Sequence, residues 1–304
     1  MGRDLYDQVP QAREVFTQAD RALRFLLSHL IFEGPGDLLQ QTINAQPAIA
    51  TVSIAALSAL QARLPFALAP VCVAGHSLGE YTALVAAHAI AWVDAIMLIA
   101  LRARLMQRAA ERIPGAMAAV LGLEPDTLDE ICRQARSEVS GSFVTVANLN
   151  CPGQVVLSGD PAGLARALEL AGARGARRVI RLPVSGAFHS AAMRPVAQRL
   201  GERINSAPLD DAQVPLVGNV SATPLTAVVD LRRELTEQLY RAVQWEACIR
   251  TMLRAGVRTF LEVGPGQVLG GLIRRTDPTA EVLNVGTVQE TEQVAQQLIQ
   301  RHAA

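Results

Sequence analysis

Charge of one sign is missing: 28 Lys+Arg stand against 28 Asp+Glu, a formal net charge of zero at pH 7. A chain that grips a polyanion carries a basic surplus, so nucleic acid and anionic membrane surfaces are excluded as principal partners. Aromatic residues are scarce, with seven Phe, three Tyr and two Trp, which leaves little material for base-stacking platforms. The four cysteines, Cys72, Cys132, Cys151 and Cys248, form no Cys-x-x-Cys pair. Neither a zinc site nor a disulfide framework follows from them, and they read as reduced core residues. No run of 18 uninterrupted apolar residues occurs; Ala83 to Leu101 comes near before His88 and Asp94 break it. No basic-then-apolar leader opens the chain. The expectation is a cytoplasmic, monomeric protein without metal or cofactor, with no membrane or nucleic-acid partner.

What is present is apolar content of 50% over 304 residues, enough for one large domain or two ordinary ones. The most informative stretch is Gly75-His76-Ser77-Leu78-Gly79. The apolar segment Leu68 to Ala74 before it reads as a short buried strand, and the Ala-rich segment Glu80 to Ala87 after it as a packed helix. Strand, sharp turn and helix form the context of a nucleophile elbow, in which flanking glycines let the Ser77 hydroxyl stand exposed. The backbone N–H of Leu78 then lies at a helix N-terminus, where positive potential favours a developing oxyanion.

Along the chain, residues 1–40 read as polar helical segments closed by Gly-Pro-Gly at 34–36. Gln46-Pro47 leads into a nearly all-apolar helix from Ala48 to Leu57, with Pro47 at the first helical position. Residues 91–112 form a helix carrying Arg102, Arg104 and Arg108. From Ala116 the pattern changes to strand 116–121, helix 125–136, strands 143–149 and 154–158, helix 161–172 and strand 177–182. This βαββαβ order is that of a ferredoxin-like unit, which places a small subdomain at 116–183 inside a large α/β domain made of 1–115 and 184–304. Beyond it come the turn Val184-Ser-Gly-Ala-Phe-His189-Ser190 feeding a helix to about 206, a strand near 215–220, helices near 231–241 and 245–255, strand 259–263 and helix 267–275.

A serine hydroxyl needs a base, and His189, on a Gly-containing turn at a helix entry, is the best placed of five histidines. His29 and His88 sit on helices, His302 in the tail, and His76 should point away from the nucleophile in a structural role. A triad acid between Ser77 and His189 has only Asp94 or Asp160 as nominees, without a motif. A backbone carbonyl could instead hold the imidazole by its Nδ1–H. Arg102 on an apolar helix face either snorkels, joins an internal ion pair, or meets an anion such as a substrate carboxylate.

Gly75 to Glu80, Leu101-Arg-Ala-Arg-Leu-Met-Gln107, Gly115-Ala-Met-Ala-Ala-Val120, Asn148 with Cys151-Pro-Gly-Gln-Val-Val156, Gly186-Ala-Phe-His-Ser190, Gln244-Trp245 and Glu262-Val-Gly-Pro-Gly266 occur together and in this order. The chain in this respect resembles the malonyl-CoA:acyl carrier protein transacylases, from residue 1 to about 290. The resemblance implies an α/β-hydrolase-like large domain with a short parallel sheet and an inserted ferredoxin-like subdomain. It implies that Ser77 attacks the thioester of malonyl-CoA, with His189 as base and then acid and Leu78 at the oxyanion. Arg102 would pair with the malonate carboxylate, and Gln244 would supply the carbonyl that holds His189. Phe188 would select malonyl over methyl-branched units, with Asn148 and Gln46 also at the substrate. The partner would be an acyl carrier protein, whose phosphopantetheine thiol takes the acyl group in a ping-pong reaction.

Members of that family usually open with a strand and a Gly-Gln-Gly-Ser-Gln motif ahead of text like Met1 to Asp7. That motif's glutamine is expected near the oxyanion, and Gln46 is the residue here that could approach the same pocket. The cluster Arg174, Arg177, Arg178 and Arg181 suits an acidic carrier protein, or is simply a solvated face. Two other classes remain open on the residues: a serine esterase or thioesterase of α/β-hydrolase type, and an inactive module that binds carrier protein.

Overall fold

A computed structural model describes residues 1–184 and 186–303; Ser185 of the predicted 184–190 turn lies outside the described residues. Helices α1 (Arg3–Gln8), α2 (Pro10–Leu23), α3 (Leu27–Glu33) and α4 (Gly36–Gln40) come first, then α5 (Thr42–Gln61), α6 (Gly79–Ala86) and α7 (Trp92–Arg112). The next unit is β1 (Ala116–Leu121), α8 (Pro125–Glu138), β2 (Val144–Cys151), β3 (Gln154–Gly159), α9 (Pro161–Ala173) and β4 (Arg178–Arg181). The chain then makes α10 (Arg194–Ser206), β5 (Leu216–Val217), β6 (Pro224–Leu225), α11 (Val228–Glu237) and α12 (Trp245–Arg254). It closes with β7 (Thr259–Val263), α13 (Val268–Thr276), β8 (Glu281–Val285) and α14 (Val288–Ala303).

The unit from β1 to β4 is one antiparallel sheet in the order β2-β3-β1-β4, the ferredoxin-like arrangement. Its strand β1 reads as an unbroken apolar run because both of its faces are covered. On β1, Ala118 and Val120 pack with Leu128, Ile131 and Leu164 beneath α8 and α9, whereas Met117 and Ala119 face the core of the larger part. Side chains alternate along a strand, so six consecutive apolar residues serve two cores. Burying each Val or Leu this way contributes roughly 1.5–3 kcal/mol.

The larger part is built on α5. Twelve of its twenty residues are buried, and it packs against α2, α7 and α14. By length and mean hydropathy, 1.4, it could cross a membrane, yet two thirds of that apolar stretch is covered by the rest of the protein. It begins five residues before Pro47, so the proline lies inside the helix and not at its first position. The strand expected at 68–74 contracts to a single parallel bridge, Val73 with Leu216, carried by Val73 N–H to the Pro215 carbonyl at 2.9 Å and Val217 N–H to the Val73 carbonyl at 2.8 Å. Among the described residues the other parallel pairings are β7 with β8 and a second single bridge, Asn148 with Val243. Strand β2 ties the two parts together: Leu149 N–H and Val243 N–H exchange bonds with the Val243 and Ala147 carbonyls, each 2.9 Å, where a bulge lets β2 leave β3.

Candidate active site

The elbow forms where the Val73 bridge gives way to α6. Ser77 has φ of 51°, the left-handed region that non-glycine residues rarely occupy, and the whole turn is bent around it. Gly75 is required by contact: a Cβ there would stand 2.0 Å from the Gly79 carbonyl carbon. A Cβ at Gly79 would meet open space, so of the two flanking glycines only Gly75 is demanded by crowding. The residue pair that the pattern treats as equivalent is therefore asymmetric.

Ser77 Oγ lies 2.8 Å from His189 Nε2, and His189 Nδ1 lies 2.6 Å from the carbonyl of Gln238. That carbonyl accepts only if Nδ1 carries the proton, which leaves Nε2 as the acceptor facing the serine hydroxyl. Gln244 was expected in the holding role and does not take it. Its carbonyl accepts from Cys248 N–H at 2.9 Å as the first bond of α12, and its own N–H donates to the Asn219 carbonyl at 2.8 Å. Gln238 lies at the end of α11, where carbonyls have no helical partner and are free for the imidazole.

Arg102 comes up beneath the pair from α7 and is 1% exposed. Its Nη2 donates to Ser77 Oγ at 2.8 Å and to Gln238 Oε1 at 3.0 Å, and its Nη1 donates to Gln46 Oε1 at 2.5 Å. No carboxylate pairs with it among the described residues. A cleft of about 550 Å³ opens above these groups, and Gln46, Leu78, Met106, Asn148 and Phe188 line it with them. Serine, base and cation thus converge on one apolar-walled cleft. Such a site can form an ester at Ser77 and hold an anionic group beside it.

Comparison with known proteins decides the family. The acyl transferase domain family matches residues 1–299. Over 298 residues the chain is 43% identical to a malonyl CoA-acyl carrier protein transacylase of Bacillus subtilis, covering 98% of this chain and 92% of that protein. The crystal structure of the corresponding Coxiella burnetii transacylase superimposes with a TM-score of 0.93 at 36% identity, covering 97% of this chain and 92% of that one. A malonyl-transacylase in complex with its type II polyketide synthase acyl-carrier protein superimposes equally, TM-score 0.93 at 34% identity, with 98% and 94% covered.

The chain belongs to the acyl transferase family.

In this acyl transferase the base is tuned by its surroundings. Burial and then the positive charge of Arg102 pull the His189 pKa down to about 3, against the opposing pull of the Gln238 carbonyl. The imidazole is accordingly neutral and able to accept a proton at neutral pH. The Ser77 backbone N–H is already taken by Asn219 Oδ1 at 2.7 Å. Leu78 lines the cleft at the start of α6, and its N–H has no acceptor among the described residues, which leaves it open to an oxyanion.

Three residues of the acyl transferase site escaped the sequence reading. Asn219 clamps the elbow from both sides, its Nδ2 donating to the Gly75 carbonyl at 2.8 Å. Glu80, wholly buried, accepts from Asn219 N–H at 2.6 Å and from Gln238 Nε2 at 3.0 Å. Burial, then the nearby Glu234, raises its pKa well above the ordinary carboxyl range. Gln238 completes the set. Glu80 adjoins a motif already singled out and was within reach; Asn219 and Gln238 fall in the strand expected near 215–220 and the helix expected near 231–241, where no motif marks either residue.

Of the remaining candidates only His76 lines the cleft. His76 turns its Nε2 to Asn150 Oδ1, 2.9 Å away on β2, which joins the elbow to the smaller sheet. Asp160 caps α9, and Asp94 sits in the first turn of α7; neither lines the cleft. Arg174, Arg177, Arg178 and Arg181 are exposed at the β4 edge of the small sheet. Arg174 faces Glu130 at 3.6 Å, and the other three have no carboxylate within salt-bridge distance among the described residues.

Proposed function

We propose that this acyl transferase moves a malonyl group from malonyl-CoA to the phosphopantetheine thiol of an acyl carrier protein. The observation that carries the reading is Arg102: a guanidinium cannot be deprotonated at working pH, and here it is buried against neutral acceptors, within 2.8 Å of the nucleophile. A desolvated cation that no carboxylate of the described residues touches selects an acyl group that brings its own carboxylate. Phe188, Met106 and Met117 leave an apolar wall around the short carbon chain that joins carboxylate to thioester.

In the first half-reaction His189 Nε2 takes the Ser77 proton as Oγ attacks the thioester carbonyl. The Leu78 N–H meets the oxygen that gains charge, and CoA leaves as its thiol with the proton from His189. In the second, His189 deprotonates the phosphopantetheine thiol, which attacks the ester carbonyl, and Ser77 recovers the proton. No step draws on a cofactor. Asn148 at the cleft mouth faces the incoming thioester arm, and Gln46 holds Arg102 from the side opposite Gln238. Arg177, Arg178 and Arg181 offer an exposed basic edge for an acidic carrier protein. The four free cysteines suit a reducing compartment, and with it a cytoplasmic location. The chain is read as residues 116–183 inserted into a catalytic part made of 1–115 and 184–304.

Intact mass after brief exposure to malonyl-CoA tests the covalent step. Wild type should gain one malonyl group and Ser77→Ala none, and addition of carrier protein bearing its phosphopantetheine should discharge the ester. An ester lost equally fast to water alone would make the chain a thioesterase, and a folded protein that never acylates would leave only carrier binding. Arg177→Glu with Arg178→Glu should raise KM for the carrier protein with acylation by malonyl-CoA intact; an unchanged KM sinks the docking role.

A further inference from the structure

Gln238 meets the site through both its backbone and its side chain. While its carbonyl holds His189, its side-chain amide lies between Arg102, the Ser77 carbonyl and Glu80. The amide Nε2 gives one hydrogen to the Ser77 carbonyl at 2.9 Å and the other to Glu80 Oε2 at 3.0 Å, so Oε1 is turned to Arg102 Nη2. Reversed, the amide would press its NH₂ on a guanidinium that can only donate and its oxygen on two acceptors.

Glu80, like Gln238 and Asn219, stands behind the cleft and does not line it. It is 0% exposed, and each of its two oxygens is committed: Oε1 to Asn219 N–H and Oε2 to Gln238 Nε2. A residue here must present two acceptors in two directions. Glutamine, the same size, presents one acceptor and one donor, and whichever way it is turned its NH₂ faces an N–H. Aspartate falls a methylene short. The sequence step from Ser77 to Glu80 is one turn of the elbow and α6, which sets the carboxyl behind the nucleophile and against the 218–220 and 238 segments together.

We propose that Glu80 is a specificity-determining positioning residue, which fixes the orientation of the Gln238 amide and through it aims Arg102 at the acyl carboxylate. The proposal rests on the malonyl reading above. Glu80 touches neither substrate nor reacting atoms. Its effect is on which acyl groups are accepted, because only an acyl chain with a terminal carboxylate uses Arg102.

The test is the ratio of kcat/KM for malonyl-CoA to that for acetyl-CoA, measured with carrier protein as acceptor, in wild type, Arg102→Met, Glu80→Gln and Gln238→Met. Misdirecting one hydrogen bond to a charged group should lower the ratio in Glu80→Gln by about ten- to a hundredfold. The loss should fall on KM for malonyl-CoA more than on kcat, a split that simple loosening of the fold does not produce. A folded Glu80→Gln that keeps the ratio within about twofold, while Arg102→Met loses it, overturns the role of Glu80 and leaves the malonyl reading standing. An unchanged ratio in Arg102→Met removes the malonyl reading and this inference with it. Should Glu80→Gln fail to fold, Gln238→Met decides by the same criterion: it fills the amide's volume and offers Arg102 no carbonyl acceptor, so a lowered ratio supports the proposal and a kept one overturns it.

Discussion

Replacing Arg102 by methionine isolates the charge from the stem that α7 packs into the core. In the wild type Arg102 is 1% exposed; its Nη1 and Nη2 donate to Gln46, Gln238 and Ser77, all neutral, while its Nε has no partner among the described residues. When malonyl enters, its carboxylate makes the direct ion pair with this desolvated cation that no carboxylate of the described residues makes. Removing one partner of a buried pair costs about 3–5 kcal/mol, so kcat/KM for malonyl-CoA should fall by roughly 10²–10⁴. Acetyl-CoA brings no carboxylate and has a desolvated charge against its methyl group, so its transfer should hold or improve. The variant also leaves Gln46 Oε1 and Gln238 Oε1 without a donor, at about 1–3 kcal/mol each of stability. Thermal melting should therefore show a lowered but cooperative transition. A second signature follows at the base: with the cation gone one cause of the low His189 pKa disappears, so the acid limb of the acylation rate should move to higher pH. Steady-state rates with both thioesters, across pH, read all of this. A folded variant with the wild-type preference for malonyl-CoA would refute the assignment of Arg102.

Three further outcomes follow from the geometry. With His189 held near 3, the wild-type acylation rate should stay flat from neutral pH down through 6.5; a limb centred at 6.5 would show that the imidazole is not desolvated. Because that folded value lies below the unfolded 6.5, the unfolded chain binds more protons between them, so the His189 contribution to stability is present above 6.5 and declines as pH falls toward 3. Urea melts at pH 7 and 5 should differ less in His189→Gln than in wild type. Gly75→Ala forces a Cβ onto backbone and should cost roughly 3 kcal/mol or more, with acylation lost; a normal melt and normal burst would dismiss the crowding argument. Asp160→Ala removes bonds to Ser142, Phe143, Ala162 and Gly163 and should cost about 1–2 kcal/mol while Ser77 still acylates, which a triad acid would not allow.

Much of this protein is legible in its sequence, and the legible part is local. The elbow, the helix expected at 91–112, the βαββαβ order and the separate choice of Ser77 and His189 as candidates each follow from residue types within a few positions. Other features depend on distant segments. The strand before Ser77 is one bridge long because among the described residues only β5 pairs with it, through Leu216, and that could not be read from the apolar run Leu68 to Ala74. The carbonyl behind His189 belongs to Gln238 and not Gln244 because a helix that ends frees its carbonyls and a helix that begins consumes them. By itself, then, the sequence determined the nucleophile, the base and the cation, because elbow strain and apolar periodicity are written in neighbouring residues. Only the tertiary structure decided that Arg102 pairs directly with no carboxylate among the described residues and that Glu80, Asn219 and Gln238 hold the site, because burial and hydrogen-bond partnership arise between segments up to 161 residues apart.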